Sequence, residues 1–496
     1  GDLGAATSSA SSKLIHGGLR YLQQGDIALV YEALHERQRL LRNAPHLVRM
    51  LPFMIPVLTK DGVVSRKIAR ALGSALWMYD LTGGWRVGKF HRRLRAKTAL
   101  THMPTMNSDR LAAAYLYFDA EADDARLTLA IVQSAMARGA VALNYCGVSA
   151  LHKNSAGVLI GASVRTHEGD TFDVSANVVV NATGVWGDAL RQMDIGGDSV
   201  TIRPAKGIHI TVPWELVQND IAVVIPVPGD KRSLFVVPQM PNGDGTFRFT
   251  YVGTTDTDHR GAVDDPQCTQ ADIDYCLRAL NKALDGGTSR TITRDDVVGT
   301  WAGLRPLVVA SDGQDVKGRT ADLSRRHKVI TSDSGMVTIT GGKLTTYRKM
   351  AEHTVDAVLD SLKISAKRCT TKRLTLHGAT SRDRNDHLVS RFGTQAPMIR
   401  ELIKADASLG APLITGLPYL NAEAVYCARN EMVVTLEDVL SRRVRGLLYD
   451  RHATAAAAFD TARLIAPDLG WDETRINDEV KRFTEVCARE NEAAVS

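Results

Sequence analysis

Apolar residues recur at helical spacing early in the chain. Ile27, Val30, Leu34 and Leu41 fall near a 3.6-residue period and predict a helix from Asp26 to about Asn43, which Pro45 ends. A second amphipathic helix, carrying Trp77 and Tyr79, is expected over 65–80. Between them Met50 to Leu58 is apolar with interspersed prolines and reads as a strand. Asp123-Asp124 ahead of Leu127, Ile131 and Ala135 marks a helix start with acids at the favourable end, running to about Gly139. Strands are expected at about 141–151 and 157–167. Val178-Val179-Val180-Asn181 then ends in the small residues Ala182-Thr183-Gly184, the way a buried parallel strand delivers its C-terminal end to a ligand crevice. From Ile202 to Tyr251 β-runs alternate with proline and glycine turns, which predicts an antiparallel sheet. Residues 270–285 read as helix, Val337 to Thr340 as strand, and Thr345 to about Leu362 as a helix entered through Gly341-Gly342.

Beyond residue 370 the strand pattern disappears. Helices are expected over 385–406, 422–441, 454–466 and 473–489, the third with the alanine run Ala453 to Ala458 at its start. The pattern therefore predicts an α/β protein, mixed with α+β character, followed by a separate helical domain over 370–496.

Composition narrows the class. With 496 residues, 44% hydrophobic and 23% charged, the chain is neither disordered nor one small module. Six cysteines without a CxxC exclude a disulfide-built scaffold, and no metal site is expected. No apolar window reaches the 18 or so uncharged residues a spanning helix needs. The net charge of +6 is partly local, because Arg86, Lys89, Arg92, Arg93, Arg95 and Lys97 occur with no acid between them. No nucleic-acid module accompanies this run. Its plain reading is a solvated helix face, and its functional reading is a contact with an anionic surface.

The candidate chemistry lies in four places. Residues 1–24 are rich in glycine, serine and threonine and end in Ser11-Ser12-Lys13-Leu14-Ile15-His16-Gly17-Gly18-Leu19-Arg20-Tyr21. Glycines permit close backbone approach, and hydroxyls and amides suit a flat or charged ligand, although a capped polar loop has the same composition. Arg305, set between Leu304 and Pro306, offers two parallel donors to a phosphate or carboxylate, or else it is a solvated turn residue. His209 in Lys206-Gly207-Ile208-His209-Ile210 is a proton acceptor or a structural histidine. Gly341-Gly342-Lys343-Leu344-Thr345-Thr346 joins a strand to a helix, where amides face an anion or an electron-rich ring edge; it lacks the spacing of a nucleotide-hydrolase phosphate loop. Without GxSxG an esterase is unsupported. These features describe an α/β enzyme for an anionic substrate with a bulky cofactor.

The same segments carry a resemblance. The run Ala6 to Leu22, together with Arg42 to Leu47, Asp123 to Leu127, Asn181 to Trp186, Lys206-Gly207 with His209, Gly253 to Asp256, Gly303 to Leu307 and Gly341 to Arg348, resembles in order the flavin-dependent glycerol-3-phosphate dehydrogenases. The resemblance implies a glutathione-reductase-type FAD domain over 1–48, 121–200 and 295–365. It further implies a sheet-rich substrate domain over 49–120 and 201–294, and a C-terminal helical domain. It implies FAD lined by Thr7, Ser8, Ser9, Ser11, Ser12, Lys13, Leu14, His16, Gly17, Gly18, Gly184, Trp186, Gly342, Lys343, Leu344 and Thr345. Glycerol 3-phosphate would be held by Arg20, Tyr21, Arg305, Arg325 and His209, with His209 and Arg305 catalytic and Arg326 the neighbour competing with Arg325.

The reaction it implies is oxidation to dihydroxyacetone phosphate, with membrane quinone as acceptor. The protein would be cytoplasmic, peripheral on the inner, anionic face of the cell membrane, and a homodimer. An oxygen-using oxidase and a non-catalytic phosphate-binding protein are the alternatives. The departure is at the front, where the family's strand, GxGxxG and helix would precede Gly1 by about 25–30 residues. Without them the chain is expected to bind FAD poorly or to expose a sheet edge.

Overall fold

Strands of alternating pattern build the large sheet that organises the molecule, which is known here as a computed structural model. It describes residues 1–18, 26–58, 66–83, 88–196, 201–230, 232–284, 290–309, 326–365 and 367–495. The first strands are Leu14–Ile15 (β1), Val48–Leu58 (β2), Arg92–Arg95 (β3), Leu111–Ala122 (β4), Cys146–Lys153 (β5), Leu159–Thr166 (β6), Thr171–Ser175 (β7) and Val180–Asn181 (β8). They continue with Ile202–Pro213 (β9), Ala222–Pro226 (β10), Ser233–Pro241 (β11), Phe247–Gly253 (β12), Thr257–Asp258 (β13), Gly299–Val308 (β14), Lys328–Thr331 (β15) and Val337–Thr340 (β16). The helices ahead of the tail are Ile27–Asn43 (α1), Arg66–Thr82 (α2), Ala96–His102 (α3), Asp124–Met136 (α4), Gly187–Ile195 (α5), Gln270–Leu284 (α6) and Tyr347–Ser361 (α7).

The large sheet runs β1-β4-β2-β10-β11-β12-β9-β13, with β14 paired to β9 and β3 to β4. It thus joins strands from the regions that the resemblance divides between two domains. On one face Ile208, Ile210 and Val212 of β9 pack with Val223, Val236 and Val252 against Ile273, Cys276, Leu277 and Leu280 of α6. The alternate residues of β9, Gly207, His209 and Thr211, must face the other way. Register sets Gly253 of β12 and Trp301 of β14 opposite His209, and Gly303 opposite Gly207. That second face lies under the N-terminal string and the helical tail.

Two smaller sheets complete the α/β part: β5-β6-β7, and β15-β16-β8 in which β8 runs parallel to β16. Strand β8 is an edge among the described residues and leaves Val180 42% exposed.

The tail contains His387–Phe392 (α8), Ala396–Ala405 (α9), Asn421–Asn430 (α10), Gly446–Tyr449 (α11), Arg451–Ala456 (α12), Ala458–Leu469 (α13) and Glu473–Val495 (α14), with a π-helical turn at Asp438–Arg443. The helix expected over 422–441 stops at Asn430, and Met432 is left-handed. Glu431 turns inward there to accept from Arg126 at 2.6 Å, and its carbonyl accepts from Arg443. The helix expected over 385–406 is interrupted at Gly393, where φ is positive.

The basic run is also not the solvated helix face expected for it. Arg92–Arg95 form the edge strand β3 on β4, while residues 84–87 lie outside the described ones. Among the described residues, no helix is long and apolar enough to cross a membrane.

Candidate active site

His209 is 2% exposed and stacks on Trp301, with ring centroids 4.6 Å apart and planes 10° apart. Its Nε2 lies 3.0 Å from Ser12 Oγ, while Nδ1 is buried with no hydrogen-bond partner. A glycine is needed opposite it, since a Cβ on Gly253 would come within 2.6 Å of the imidazole Cγ. Burial, reinforced by the Lys13 and Arg305 charges, holds the ring well below the usual imidazole range, so it is neutral at ordinary pH.

Arg305 lies two residues on from Gly303 along the same face. Its guanidinium donates to Asp256 at 3.2 Å, to Thr254 Oγ1 at 3.0 Å and to the Thr255 carbonyl at 3.2 Å. A side chain on Gly207 would overlap that guanidinium, and one on Gly303 would strike the Ala10 carbonyl at 2.7 Å. Three glycines on three adjacent strands therefore let the N-terminal string and two functional side chains lie directly on the sheet.

The string is fastened there by its backbone. The Tyr251 hydroxyl donates to Ser12 O at 2.6 Å, Trp301 Nε1 to Ser11 O at 3.1 Å, and Arg445 to Ser9 O at 2.7 Å. The Thr7 hydroxyl donates to Leu304 O, and Ser11 donates through both its amide and its hydroxyl to Asp124. Ser8 remains exposed. Leu14 is buried in the main core, and His16 meets Phe235 edge-on. At Gly17 the crowding comes from protein, because a Cβ would meet Leu34 Cδ2 and Tyr79 Oη at 2.6 Å. Gly18 has φ 81. Arg20, Tyr21 and Arg325 lie outside the described residues, whereas Arg326 pairs with Asp26 at 2.6 Å.

A second group of predicted residues meets at the ends of the parallel pair. Val180 and Asn181 lie beside Val337 and Thr338, so Ala182-Thr183-Gly184 and Gly341-Gly342-Lys343 leave the sheet side by side. Each turn enters a short 3₁₀ segment, Gly184–Trp186 or Leu344–Thr346, and then a helix. Leu344 packs in the cluster around Ile15, which brings this loop to the N-terminal string. Thr345 is buried, and Trp186 Nε1 donates to Asp264 at 2.8 Å. Ala182 and Thr183 are exposed, and a Cβ on Gly184, whose φ is 61, would meet nothing within 4 Å. Small residues, open space and helix N-termini at the carboxyl ends of parallel strands suit a dinucleotide such as FAD.

Trp301, Tyr251, Asp124 and Arg445 belong to this site without having been singled out from the sequence. For Trp301 the available signal was the alternation Trp301-Gly303-Arg305; for Asp124 it was a second acid beside the cap residue Asp123, which accepts from the Ala125 and Arg126 amides. Arg445 carries no local signal.

Comparison with known proteins identifies the family. Residues 1–348 match the FAD dependent oxidoreductase family, and residues 336–476 match the C-terminal domain of alpha-glycerophosphate oxidase. The chain is 35% identical to glycerol-3-phosphate dehydrogenase 2 of Mycobacterium tuberculosis, covering 97% of this chain and 82% of that one. It is 34% identical to the probable mitochondrial glycerol-3-phosphate dehydrogenase of Caenorhabditis elegans, covering 97% and 68%. The solved glycerol-3-phosphate dehydrogenase of Bacillus halodurans, complexed with FAD, superposes with a TM-score of 0.76 at 28% identity over 100% of this chain and 89% of that one. The chain belongs to the FAD-dependent oxidoreductases, in the family of the glycerol-3-phosphate dehydrogenases.

Proposed function

We propose that this enzyme oxidises sn-glycerol 3-phosphate to dihydroxyacetone phosphate and delivers the electrons to a membrane quinone, with His209 as proton acceptor. The observation that carries the His209 assignment is its buried, unpartnered Nδ1 on an imidazole kept neutral by burial, with the Lys13 and Arg305 charges adding to it. Oxidising a secondary alcohol removes a hydride from C2 and a proton from its hydroxyl. When bound, FAD supplies the two-electron acceptor for that hydride. The neutral imidazole takes the proton. Arg305, now held by Asp256 and two threonines, turns its donors to the phosphate or to negative charge developing on the hydroxyl oxygen. Arg20, Tyr21 and Arg325 complete the phosphate site in this reading. In the same reading Thr7, Ser8, Ser9, Ser11, Ser12, Lys13, Leu14, His16, Gly17, Gly18, Gly184, Trp186, Gly342, Lys343, Leu344 and Thr345 would line the flavin.

The quinone reading draws support from the surface. Trp77, Met78, Leu81 and Phe90 are exposed, Trp77 meets His91 edge-on, and Arg92, Arg93 and Arg95 follow on β3. Exposed aromatic and aliphatic side chains beside arginines suit the headgroup region of an anionic bilayer. Oxygen is the second reading, favoured by the oxidase named in the C-terminal domain match.

Anaerobic glycerol 3-phosphate should bleach the oxidised-flavin band, and a soluble quinone should restore it faster than air does. Failure to bleach sinks the substrate assignment. Stoichiometric hydrogen peroxide release with no gain from quinone replaces the acceptor. The His209→Gln enzyme should bleach at least tenfold more slowly, in the range expected for loss of a general base.

A further inference from the structure

Lys13 is held in a left-handed backbone conformation, with φ 56. A residue with a Cβ enters that region at a cost of about 1–2 kcal/mol. Its carbonyl accepts from the Ala122 amide at 2.9 Å, and its own amide donates to Ser11 Oγ at 3.0 Å. The result is an ammonium turned inward, on a residue 5% exposed, with Nζ 4.3 Å from the centroid of the Trp301 ring.

The nearest carboxylate, Asp124, stands 3.6 Å away. Its oxygens are already committed to the Ser11 amide and hydroxyl at 2.9 and 2.7 Å, to Arg445 at 2.9 Å and to the Ala125 amide at 3.0 Å. Lys13 Nζ is therefore buried with an ion-pair partner but no hydrogen-bond acceptor. Burial pushes it down to about 8, against the pull of Asp124 and Asp123 and helped by Arg445. The ring beneath it is the one on which His209 stacks.

We propose that Lys13 is a positioning residue for His209, the charge on its ammonium at Trp301 governing how readily the imidazole takes up a proton. The proposal rests on the reading of His209 as proton acceptor. Burial keeps the imidazole neutral before substrate arrives, and while Lys13 is charged it and Arg305 of β14 push the ring further the same way. Lys13, by contrast with a guanidinium, loses its charge near pH 8. Above that pH the imidazole becomes the stronger acceptor. The coupling is reciprocal, so a proton arriving on His209 favours release of one from Lys13.

The test follows the His209 ring in the full-length protein, carbon-13 labelled in histidine and assigned with His209→Gln, from pH 5 to 10. In the parent, the resonance of a neutral imidazole should show a step near pH 8. Lys13→Met should abolish the step and raise the imidazole's own midpoint by about one pH unit or more. Lys13→Arg, which cannot discharge, should abolish the step and leave the imidazole neutral. A step that survives in Lys13→Met, or identical behaviour of the Met and Arg variants, overturns the proposal.

If Lys13→Met does not fold, the parent and Lys13→Arg decide: a step in the first alone supports the coupling, and a step in both or neither overturns it. Flavin bleaching by His209→Gln is read separately. A parental rate there removes the proton-acceptor reading, while the resonance titration still judges the link between Lys13 and His209.

Discussion

Glycine at position 207 is a test of how tightly the site is built. Its φ is not in the left-handed region, so alanine is conformationally acceptable there and the effect must come from space. A Cβ would overlap the Arg305 guanidinium and come within 2.6 Å of Thr254 Oγ1. The backbone is fixed by pairing on both sides of β9, so the long arginine yields. Gly207→Ala should therefore keep its flavin and melt close to the parent, while kcat/KM for glycerol 3-phosphate falls at least tenfold, about 1.4 kcal/mol of transition-state stabilisation. Unchanged kcat/KM would show that Arg305 does not act from this position. From the residues alone His209 and Arg305 stayed open between a functional and a structural role, and it was the resemblance of the strings around them that singled them out as candidates. Trp301 was not singled out, since its importance arises from lying opposite His209 across β9 and β14, a relation that only the sheet register creates.

At the scale of elements, α1, α2 and α6 were legible because each has one buried stripe, and α7 because Gly341-Gly342 marks its entry, its only buried residues being Arg348 and Thr354. Strand β4 was missed. Its sequence Leu-Ala-Ala-Ala-Tyr-Leu-Tyr-Phe-Asp-Ala-Glu-Ala has helical composition, and it becomes a strand because β2, β1 and β3 pair along it. Its polar residue Asp119 joins four elements. It accepts from Arg37 of α1 at 2.5 Å, from the Tyr79 hydroxyl of α2 at 2.7 Å, and from the Gly17 amide at 3.3 Å. Arg37 and Asp119 are 0% and 2% exposed, so neither can turn to water. Asp119→Ala should cost roughly 3–5 kcal/mol in a denaturant titration, because it strands the guanidinium. The double variant Arg37→Met with Asp119→Leu should recover most of that loss. A single-variant loss below about 1 kcal/mol, the ordinary worth of an exposed pair, would mean the network is not what ties the N-terminal string to the helices.

In the whole molecule, the helical tail shares one apolar core with the large sheet, Tyr251 and Trp301 clustering with Leu447, Leu448 and Tyr449, and a seam of buried charge runs beside it. Asp2 accepts from Arg442 and Arg443 at 2.9 and 2.7 Å, Glu431 from Arg126 at 2.6 Å, and Asp124 from Arg445 at 2.9 Å. His46 sits in the same seam, 6% exposed, with Gly378 and Gly393 shaped around its ring and Nδ1 without a hydrogen-bond partner. Burial, aided by the charge of Arg126 and by His377, pushes it down to about 4. An unfolded histidine titrates near 6.5. Below that pH the unfolded chain takes up a proton that the folded protein refuses, so this contribution to stability is intact above pH 6.5. It declines steadily as the pH falls towards 4, where the loss reaches about 3 kcal/mol. His377 is shifted in the same direction by its own burial and steepens the decline. The carboxylates of the seam also respond to acid, so the informative quantity is a difference between two proteins. His46→Gln should unfold with a visibly shallower dependence on pH between 6.5 and 4 than the parent, measured as the denaturant midpoint at each pH. Parallel curves would mean that the seam admits a protonated His46 and that the tail is not sensitive to acid through this residue.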